Sequence, residues 1–271
     1  MALALRNRAD PHQVLRDYYH TLYRAWGAQH WWPGETQFEV IVGAYLTQNT
    51  AWTNVERALK NLRAANVLSL DGIRETKLAR LQRLVRPSGY FRQKATRIKT
   101  FVAFLDREYG GSLEKLFSQP TEKVRKDLLS LNGVGPETAD SILLYAGNHP
   151  VFVVDAYTRR VVDRHGILPA NAEYEDIRRL FEHALVPIAE LSDYRGATPQ
   201  KRPSQKEGPC PSPTFPVTAH SPSTMSTMRR TALVQVYNEM HGLIVGVGKH
   251  FCGKSQAKCD GCPLQPFLPA R

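Results

Sequence analysis

The sequence lacks any long apolar run and contains few cysteines. No stretch approaches the roughly 20 consecutive apolar residues that a membrane-spanning helix needs. The initial MALALRN is too short for the apolar core of a secretion signal. Only four cysteines occur in 271 residues, which argues against a disulfide scaffold and fits a reducing compartment. We therefore expect a cytoplasmic protein without a membrane partner.

The sequence also has fewer acidic than basic residues. There are 25 Asp and Glu against 36 Lys and Arg, which leaves a formal charge of +11. Such an excess favours a polyanionic partner, and nucleic acid is the first candidate. The apolar content of 42% is sufficient for a real core. The composition therefore predicts a globular protein that binds a polyanion.

Apolar residues recur at intervals of three and four positions over most of residues 11–188, and this spacing is typical of amphipathic helices. Clear examples lie at residues 38–46, 55–62, 78–84, 98–105 and 177–185. Short turns that contain Gly and Pro separate these segments. Nothing in the region indicates a sheet, so we predict an all-α fold.

Residues 195–229 interrupt the helical pattern. They hold seven prolines among Ser, Thr, Lys and Gln, with few large apolar residues, and this composition is typical of disorder. Helical spacing resumes between Leu233 and Met240. We therefore predict a helical domain at 1–194, a disordered insertion at 195–229, and a closing helix with a cysteine-rich loop at 230–271.

Two glycines bracket a valine at Gly133-Val134-Gly135, inside a segment at 125–146 that otherwise has a helical pattern. Such a turn can present backbone N–H groups at the start of a helix, where they bind a phosphate oxygen. It would grip nucleic acid without reading its sequence. Taken alone, the same pattern also suits a plain connector between two helices.

Asp155 follows an apolar run at 151–154 and precedes a predicted helix that begins at Ala156. An aspartate at this place caps a helix, which needs no functional explanation. Taken with the hairpin, however, the pattern resembles the endonuclease III family of helix-hairpin-helix DNA glycosylases. The resemblance covers residues 30–190 and resumes at 233–267.

This resemblance implies a two-lobed all-α fold with a C-terminal cysteine loop. It also implies a base-excision repair enzyme that flips a damaged base out of double-stranded DNA and cuts its N-glycosidic bond. Asp155 would be the catalytic carboxylate, which stabilises a cationic sugar and activates water, while Gly133, Val134 and Gly135 would bind the DNA backbone. We expect a monomer associated with the nucleoid.

Glu137 stands in the hairpin helix that follows the turn, where bifunctional members of the family carry a nucleophilic lysine. A carboxylate cannot form the imine on which lysine-dependent strand cleavage depends. The resemblance therefore implies a monofunctional glycosylase without lyase activity. Glu137 itself could hydrogen-bond the base or a water, or it could be a solvated residue of the first helical turn.

Three of the four tryptophans, Trp31, Trp32 and Trp52, fall within the short region from residue 30 to residue 52. Tryptophans at helical spacing are commonly core residues. The order Trp-Trp-Pro, ending at Pro33, and then Gln-Asn-Thr from Gln48 with an aromatic residue two positions on, is similar to the 3-methyladenine DNA glycosylase III branch of the superfamily. That branch also carries the glutamate and a Val-Val-Asp segment.

By this resemblance Trp32 and Trp52 would sandwich the flipped base, Trp31 and Pro33 would shape the pocket wall, and Gln48 would fill the gap left in the duplex. An N3-alkylated adenine bears positive charge, so aromatic faces attract it by about 0.5 to 2 kcal/mol. We therefore expect an alkylated purine such as 3-methyladenine as the substrate. Ethenoadenine or another modified base would also suit an aromatic pocket.

Cys252, Cys259 and Cys262 have the spacing C-x6-C-x2-C, which resembles the first three ligands of the [4Fe–4S] loop in endonuclease III relatives. The fourth cysteine is missing, because its position is Leu268. Cys210 is a doubtful substitute, since it lies in the Pro-rich insertion. The sequence thus leaves an iron–sulfur cluster possible with an incomplete ligand set.

Two other interpretations of the loop stay open. Three cysteines with His241 or His250 could form a zinc site, and the loop could also hold no metal. For the whole protein, two alternatives to an alkylpurine glycosylase remain. One is an endonuclease III-type glycosylase for oxidised or mismatched bases, and the other is a DNA-binding relative without catalysis.

Overall fold

The computed structural model describes residues 10–191 and 222–269, and these residues are helical without a β-strand. The all-α prediction is therefore confirmed. None of the described helices is long and apolar enough to cross a membrane. The α-helices are, in chain order, α1 (Pro11–Trp26), α2 (Gln37–Thr47), α3 (Trp52–Ala64), α4 (Leu70–Glu75), α5 (Leu78–Leu84), α6 (Phe91–Tyr109), α7 (Leu113–Phe117), α8 (Thr121–Leu129), α9 (Pro136–Ser141), α10 (Ala156–Arg164), α11 (Tyr174–Leu191), α12 (Thr224–Thr227) and α13 (Ala232–His250).

The first of two compact units, unit 1, comprises the described residues within Met1–Trp31, Val151–Ser221 and Arg229–Arg271. Its helices α1, α10, α11 and α13 pack on one another. Fourteen of the nineteen residues of α13 are buried, as expected for a helix that is apolar on most sides. Gly248 allows α13 to approach α10, because a Cβ at this position would collide with the Tyr157 ring.

The second compact unit, unit 2, comprises Trp32–Pro150 and Pro222–Met228 and contains α2 to α9 and α12. Nine of the eleven residues of α2 are buried. The buried ammonium of Lys94 donates to the carbonyl oxygens of Leu46, at 2.8 Å, and Ser88, at 2.6 Å. Burial lowers the pKa of Lys94 to about 8. A cation at the carboxyl end of α2 also complements the helix dipole.

The end of the predicted disordered insertion is ordered. Ser223 caps α12, and its hydroxyl oxygen accepts the Gly34 N–H at 3.0 Å. The Met225 N–H donates to the Gly34 carbonyl at 2.9 Å, and the Met225 side chain is buried. The prediction was wrong for residues 222–229, because composition does not reveal that Gly34 satisfies these polar groups. Residues 195–221, including Cys210, lie outside the described residues.

The two units also divide the chain differently from the three predicted parts. The predicted domain at 1–194 contributes to both units, since unit 2 begins at Trp32 and unit 1 resumes at Val151. The predicted closing helix is α13, and it packs on α1, α10 and α11 of unit 1. Helical spacing predicts where a helix lies along the chain, but it does not predict which distant helix covers it.

Candidate active site

The predicted hairpin lies in unit 2 and consists of α8, a short turn and α9. The turn requires glycine at Gly133, whose φ of +80° lies in the left-handed region. A Cβ at Gly133 would also collide with the Arg97 guanidinium. Gly135 differs, since its φ is −95° and a Cβ there would meet no atom within 4 Å. The fold therefore demands Gly133, whereas Gly135 faces open space.

Val134 stabilises the hairpin turn through its side chain and its backbone N–H. Its side chain is buried, and its N–H donates to the Leu131 carbonyl at 3.1 Å. This placement favours a structural role for Val134, although the sequence grouped it with the two glycines as a DNA-binding residue. Any backbone contact to a phosphate is then expected at the exposed Gly135 side of the turn.

A buried ion pair joins the two helices of the hairpin. Arg125 of α8 donates to both carboxylate oxygens of Asp140 of α9, with distances of 2.7 and 3.1 Å. Asp140 is 0% exposed. Two parallel hydrogen bonds fix the relative orientation of the guanidinium and the carboxylate, so this pair sets the geometry of the hairpin.

Gln48 connects the end of α2 to the hairpin. Its side-chain amide donates to the Gly133 carbonyl at 2.9 Å and to the Thr138 hydroxyl at 3.0 Å, and it accepts from Arg97 at 2.6 Å. Each such bond stabilises by about 1 kcal/mol. To fill a gap in a duplex, as the sequence predicts, Gln48 would have to exchange these bonds for contacts with DNA.

Trp32 and Trp52 contact each other in unit 2. Their ring centroids are 5.1 Å apart with an interplanar angle of 88°, so the contact is edge to face. Tyr145 lies on another side of Trp32, with its centroid 5.1 Å away and its ring tilted by 30°. Trp32 is buried, whereas Trp52 is half-exposed and donates its indole N–H to Glu56 at 2.9 Å. Because the rings stand edge to face, a base can lie between their faces only if one ring turns, and Trp52 is the more exposed of the two.

The two other pocket residues predicted in unit 2 are Pro33 and Glu137. Pro33 is half-buried next to Trp32 in the chain. Glu137 is exposed in the first turn of α9, where a negative charge complements the helix dipole. This placement is compatible with both predicted roles of Glu137. Tyr145 was not predicted as a site residue, because it stands in the apolar run at 142–146 and its spacing indicates only a core position.

Trp31 packs in unit 1, although the sequence grouped it with Trp32. Its ring lies 6.1 Å from the His241 ring, and the Lys249 ammonium lies 5.6 Å from the Trp31 centroid. The buried Glu239 carboxylate accepts the N–H of Gln29 at 2.7 Å and thereby fixes the chain just before Trp31. Burial raises the pKa of Glu239 to about 7.

Asp155 is the N-cap of α10 in unit 1, as the sequence predicts. Its Oδ1 accepts the N–H of Thr158 at 2.8 Å and the Thr158 hydroxyl at 3.0 Å, while Oδ2 lies 3.6 Å from His241 Nε2. Burial has the largest effect and acts to raise the pKa of Asp155. The His241 charge and the Thr158 hydrogen bonds outweigh it and hold the pKa below its ordinary value. Asp155 is therefore a carboxylate anion at neutral pH.

His241 is a functional candidate whose position the sequence did not predict. It was considered as a zinc ligand, but its Nε2 faces Asp155. It is buried on α13 between the rings of Phe152 and Trp31. Helical spacing places His241 on the same face as Tyr237 and Ile244, but spacing alone does not identify Asp155 as its neighbour.

The cysteine loop supplies three thiols. Cys252 is buried and accepts a hydrogen bond from Arg164 at 3.2 Å, and the N–H of Cys262 donates to the Cys259 carbonyl at 3.0 Å. At the fourth cluster position the described chain has the half-buried Leu268. Residues 10–191 and 222–269 contain no group of three or more His, Cys, Asp or Glu arranged to hold a metal ion. The three described thiols are one fewer than the four thiolates that an iron–sulfur cluster normally takes.

The all-α fold contains a glycine hairpin, and the largely buried Asp155 carboxylate caps a later helix. Residues 42–187 match the family model described as HhH-GPD superfamily base excision DNA repair protein. The match spans more than half of the chain. The chain therefore belongs to this superfamily and is a DNA glycosylase of base-excision repair, which confirms the resemblance inferred from the hairpin and Asp155.

Several known proteins also match this chain over most of its length, in sequence or in structure. A protein of Methanocaldococcus jannaschii, provisionally named a DNA repair glycosylase, is 38% identical over 257 residues, which are 94% of this chain and 93% of that protein. The crystal structure of H. pylori 3-methyladenine DNA glycosylase bound to 1,N6-ethenoadenine is 27% identical with a TM-score of 0.66, covering 89% of this chain and 98% of that one. A trapped endonuclease III–DNA covalent intermediate has a TM-score of 0.65 at 17% identity, covering 95% and 94%, and shares the fold.

Proposed function

We propose that this protein is a monofunctional DNA glycosylase that removes an alkylated purine such as 3-methyladenine. The observation that carries the proposal is the aromatic cluster of Trp32, Trp52 and Tyr145. The similarity to the H. pylori 3-methyladenine DNA glycosylase supports it, since that structure was solved with a modified adenine.

The aromatic cluster suits a cationic base. Ring faces attract a positively charged adenine through stacking and cation–π interaction, by about 0.5 to 2 kcal/mol. In the proposed complex Trp52 turns away from its edge-to-face contact and exposes the Trp32 face. A neutral oxidised pyrimidine would need more directed polar contacts than these rings provide.

The proposed reaction is hydrolysis at the sugar C1′ atom. The bond between C1′ and the base breaks, and its electron pair leaves with the base, which departs as a neutral molecule because the alkylated nucleoside was cationic. The sugar becomes an oxocarbenium-like cation, and the negative charge of Asp155 stabilises it. Water adds to C1′ and gives its proton to the Asp155 carboxylate, from which the proton passes to solvent.

Glu137 supports the absence of a lyase step. Strand cleavage by the lysine-dependent route needs an amine that attacks C1′ to form an imine, and a carboxylate cannot do so. We therefore infer that the product is an abasic site in an unbroken strand. Glu137 is exposed on α9 and is therefore accessible to a base or a water.

The first experiment is incubation with methylated duplex DNA. We expect release of free 3-methyladenine, detected by chromatography, without strand breaks before alkali treatment.

Replacing Trp52 with alanine should lower kcat/KM by about 2- to 30-fold, the equivalent of one lost cation–π contact, whereas Trp52→Phe should retain most of the activity. Release of an oxidised or mismatched base instead would favour the endonuclease III-type alternative. Strand breaks without alkali would contradict the monofunctional assignment.

The two hairpin glycines give a second prediction. Gly133→Ala should lower the free energy of unfolding by about 1–3 kcal/mol, because alanine is strained at a positive φ. Gly135→Ala should leave the Tm unchanged, since its Cβ meets no protein atom, but it should weaken binding to duplex DNA by obstructing the approach of a phosphate.

Thermal unfolding and fluorescence anisotropy with a labelled duplex measure the two effects. Gly135→Ala serves as the matched control for the stability of Gly133→Ala. If Gly135→Ala binds duplex DNA as tightly as the wild type, the hairpin turn is not a DNA-binding surface.

A further inference from the structure

The two oxygens of the Asp155 carboxylate have different environments. Oδ1 accepts two hydrogen bonds from Thr158, one from its N–H and one from its hydroxyl, and Thr158 lies in the first turn of α10. Oδ2 is directed to His241 Nε2 at 3.6 Å, which is the distance of an ion pair and too long for a hydrogen bond. The orientation of the carboxylate is therefore fixed from α10 on one side and from α13 on the other.

The surroundings strengthen the interaction between Asp155 and His241. The His241 ring centroid lies 6.2 Å from that of Phe152 and 6.1 Å from that of Trp31, and the His241 side chain is 4% exposed. Opposite charges attract more strongly in such a weakly polar environment than in water. An imidazolium at this place favours the ionised form of Asp155.

Other titratable groups near this pair have different partners or are neutral. Tyr157 of α10 has a raised pKa because of its burial and the Asp155 charge, so it is uncharged at physiological pH. On α13, Glu239 accepts from Gln29, and Lys249 lies over the Trp31 ring. In the described part of unit 1, the His241 ring thus faces the Asp155 carboxylate, with Nε2 at 3.6 Å from Oδ2.

We propose that His241 is a positioning residue, whose imidazolium orients Oδ2 of Asp155 and keeps the buried carboxylate ionised for catalysis. The proposal rests on the proposed function, in which Asp155 is the catalytic carboxylate. His241 itself neither contacts the substrate nor transfers a proton to it. Its effect is to extend the pH range over which Asp155 carries its negative charge.

Removing His241 has a predictable sign. Burial acts to raise the pKa of Asp155, and the His241 charge is the first of the effects that oppose it. Without that charge, Asp155 takes up a proton at a higher pH. The acid side of the pH–rate profile therefore moves upward, and activity is lost earlier as the pH falls. A shift of one pH unit corresponds to a tenfold loss of rate on the acid side.

The test compares the wild type, His241→Gln and a matched control, His183→Gln, whose side chain is exposed on α11. Single-turnover release of 3-methyladenine is measured from about pH 3 to 8, a range that includes the ordinary titration of an aspartate at about pH 3.9, with spontaneous release subtracted. We expect the acid limb of His241→Gln to move up by about one pH unit and that of His183→Gln to stay in place. Because stability itself depends on pH, the folded fraction is followed by circular dichroism at each pH, and only a limb that is displaced while the protein stays folded supports the proposal.

A direct measurement separates this inference from the proposed function. The Asp155 carboxyl carbon is titrated by NMR in the wild type, His241→Gln and the shorter His241→Asn, with Asp155→Asn identifying the signal. An upward shift in both His241 variants supports the proposal without any substrate. An unchanged titration overturns it even if Asp155→Asn is inactive. If Asp155→Asn retains full activity, the proposed function fails, whatever the titration shows.

Discussion

Replacing Asp155 with asparagine should lower the rate of base release by at least about a hundredfold while the protein stays folded and binds DNA. Asparagine is as effective as aspartate at an N-cap, and its oxygen can still accept the hydrogen bonds from Thr158. The substitution therefore removes the negative charge and little else. Loss of a carboxylate that stabilises the cationic sugar and accepts a proton typically costs a factor of about 10²–10⁴.

Single-turnover release of 3-methyladenine measures the rate, and the Tm and DNA affinity are followed in parallel. Asp163→Asn is the matched control, since Asp163 is exposed on the same helix. Asp155→Ala provides a comparison that also removes the cap and should cost about 1 kcal/mol of stability. A rate for Asp155→Asn close to that of the wild type would place the catalytic carboxylate elsewhere. DNA binding by the wild type without base release from any tested substrate would instead indicate a non-catalytic relative.

Replacing Arg125 with alanine should lower the free energy of unfolding by about 3–5 kcal/mol. The change removes the guanidinium that neutralises Asp140, and Asp140 is fully buried. A buried charge that loses its counterion is strongly destabilising. For a chain of this size, the Tm should fall by about 6–20 °C. DNA affinity should also fall, because the pair no longer holds the two hairpin helices in place.

Thermal and chemical unfolding check this expectation. The matched control is Arg107→Ala, because Arg107 pairs with Glu108 at the surface, with side-chain exposures of 68% and 47%. Such exposed pairs contribute at most about 1 kcal/mol. The double variant Arg125→Met/Asp140→Leu should recover much of the stability, since apolar side chains of similar size often replace a buried ion pair at little cost. A Tm for Arg125→Ala equal to that of Arg107→Ala would refute the assignment.

The sequence predicted the features that depend on neighbouring residues. Apolar spacing at 38–46 and 177–185 predicted helices that the structure extends to α2 and α11. Asp155 was predicted as an N-cap, because a capping aspartate, the first turn of the helix and the preceding apolar run are all local signals. Gly133 was predicted at a tight turn for the same reason.

The features that the sequence did not predict depend on residues far apart in the chain. His241 faces Asp155, and Gln29 donates to Glu239, through contacts between helices that no local spacing encodes. The order in residues 222–229 escaped prediction because it depends on Gly34. The different packing of Trp31 and Trp32 escaped it as well, since adjacent residues in a pattern look alike until the unit that buries each one is known.

Because unit 1 is built from separate segments of the chain, it cannot be completed until the last of them has been synthesised. The long segment of unit 2, Trp32–Pro150, is synthesised as one continuous stretch, whereas unit 1 needs residues from both sides of it. Domains generally begin to fold during synthesis, at about 5–20 residues per second. The Asp155 carboxylate emerges well before α13, so during each round of translation it stays without His241 until nearly the whole described chain has been made.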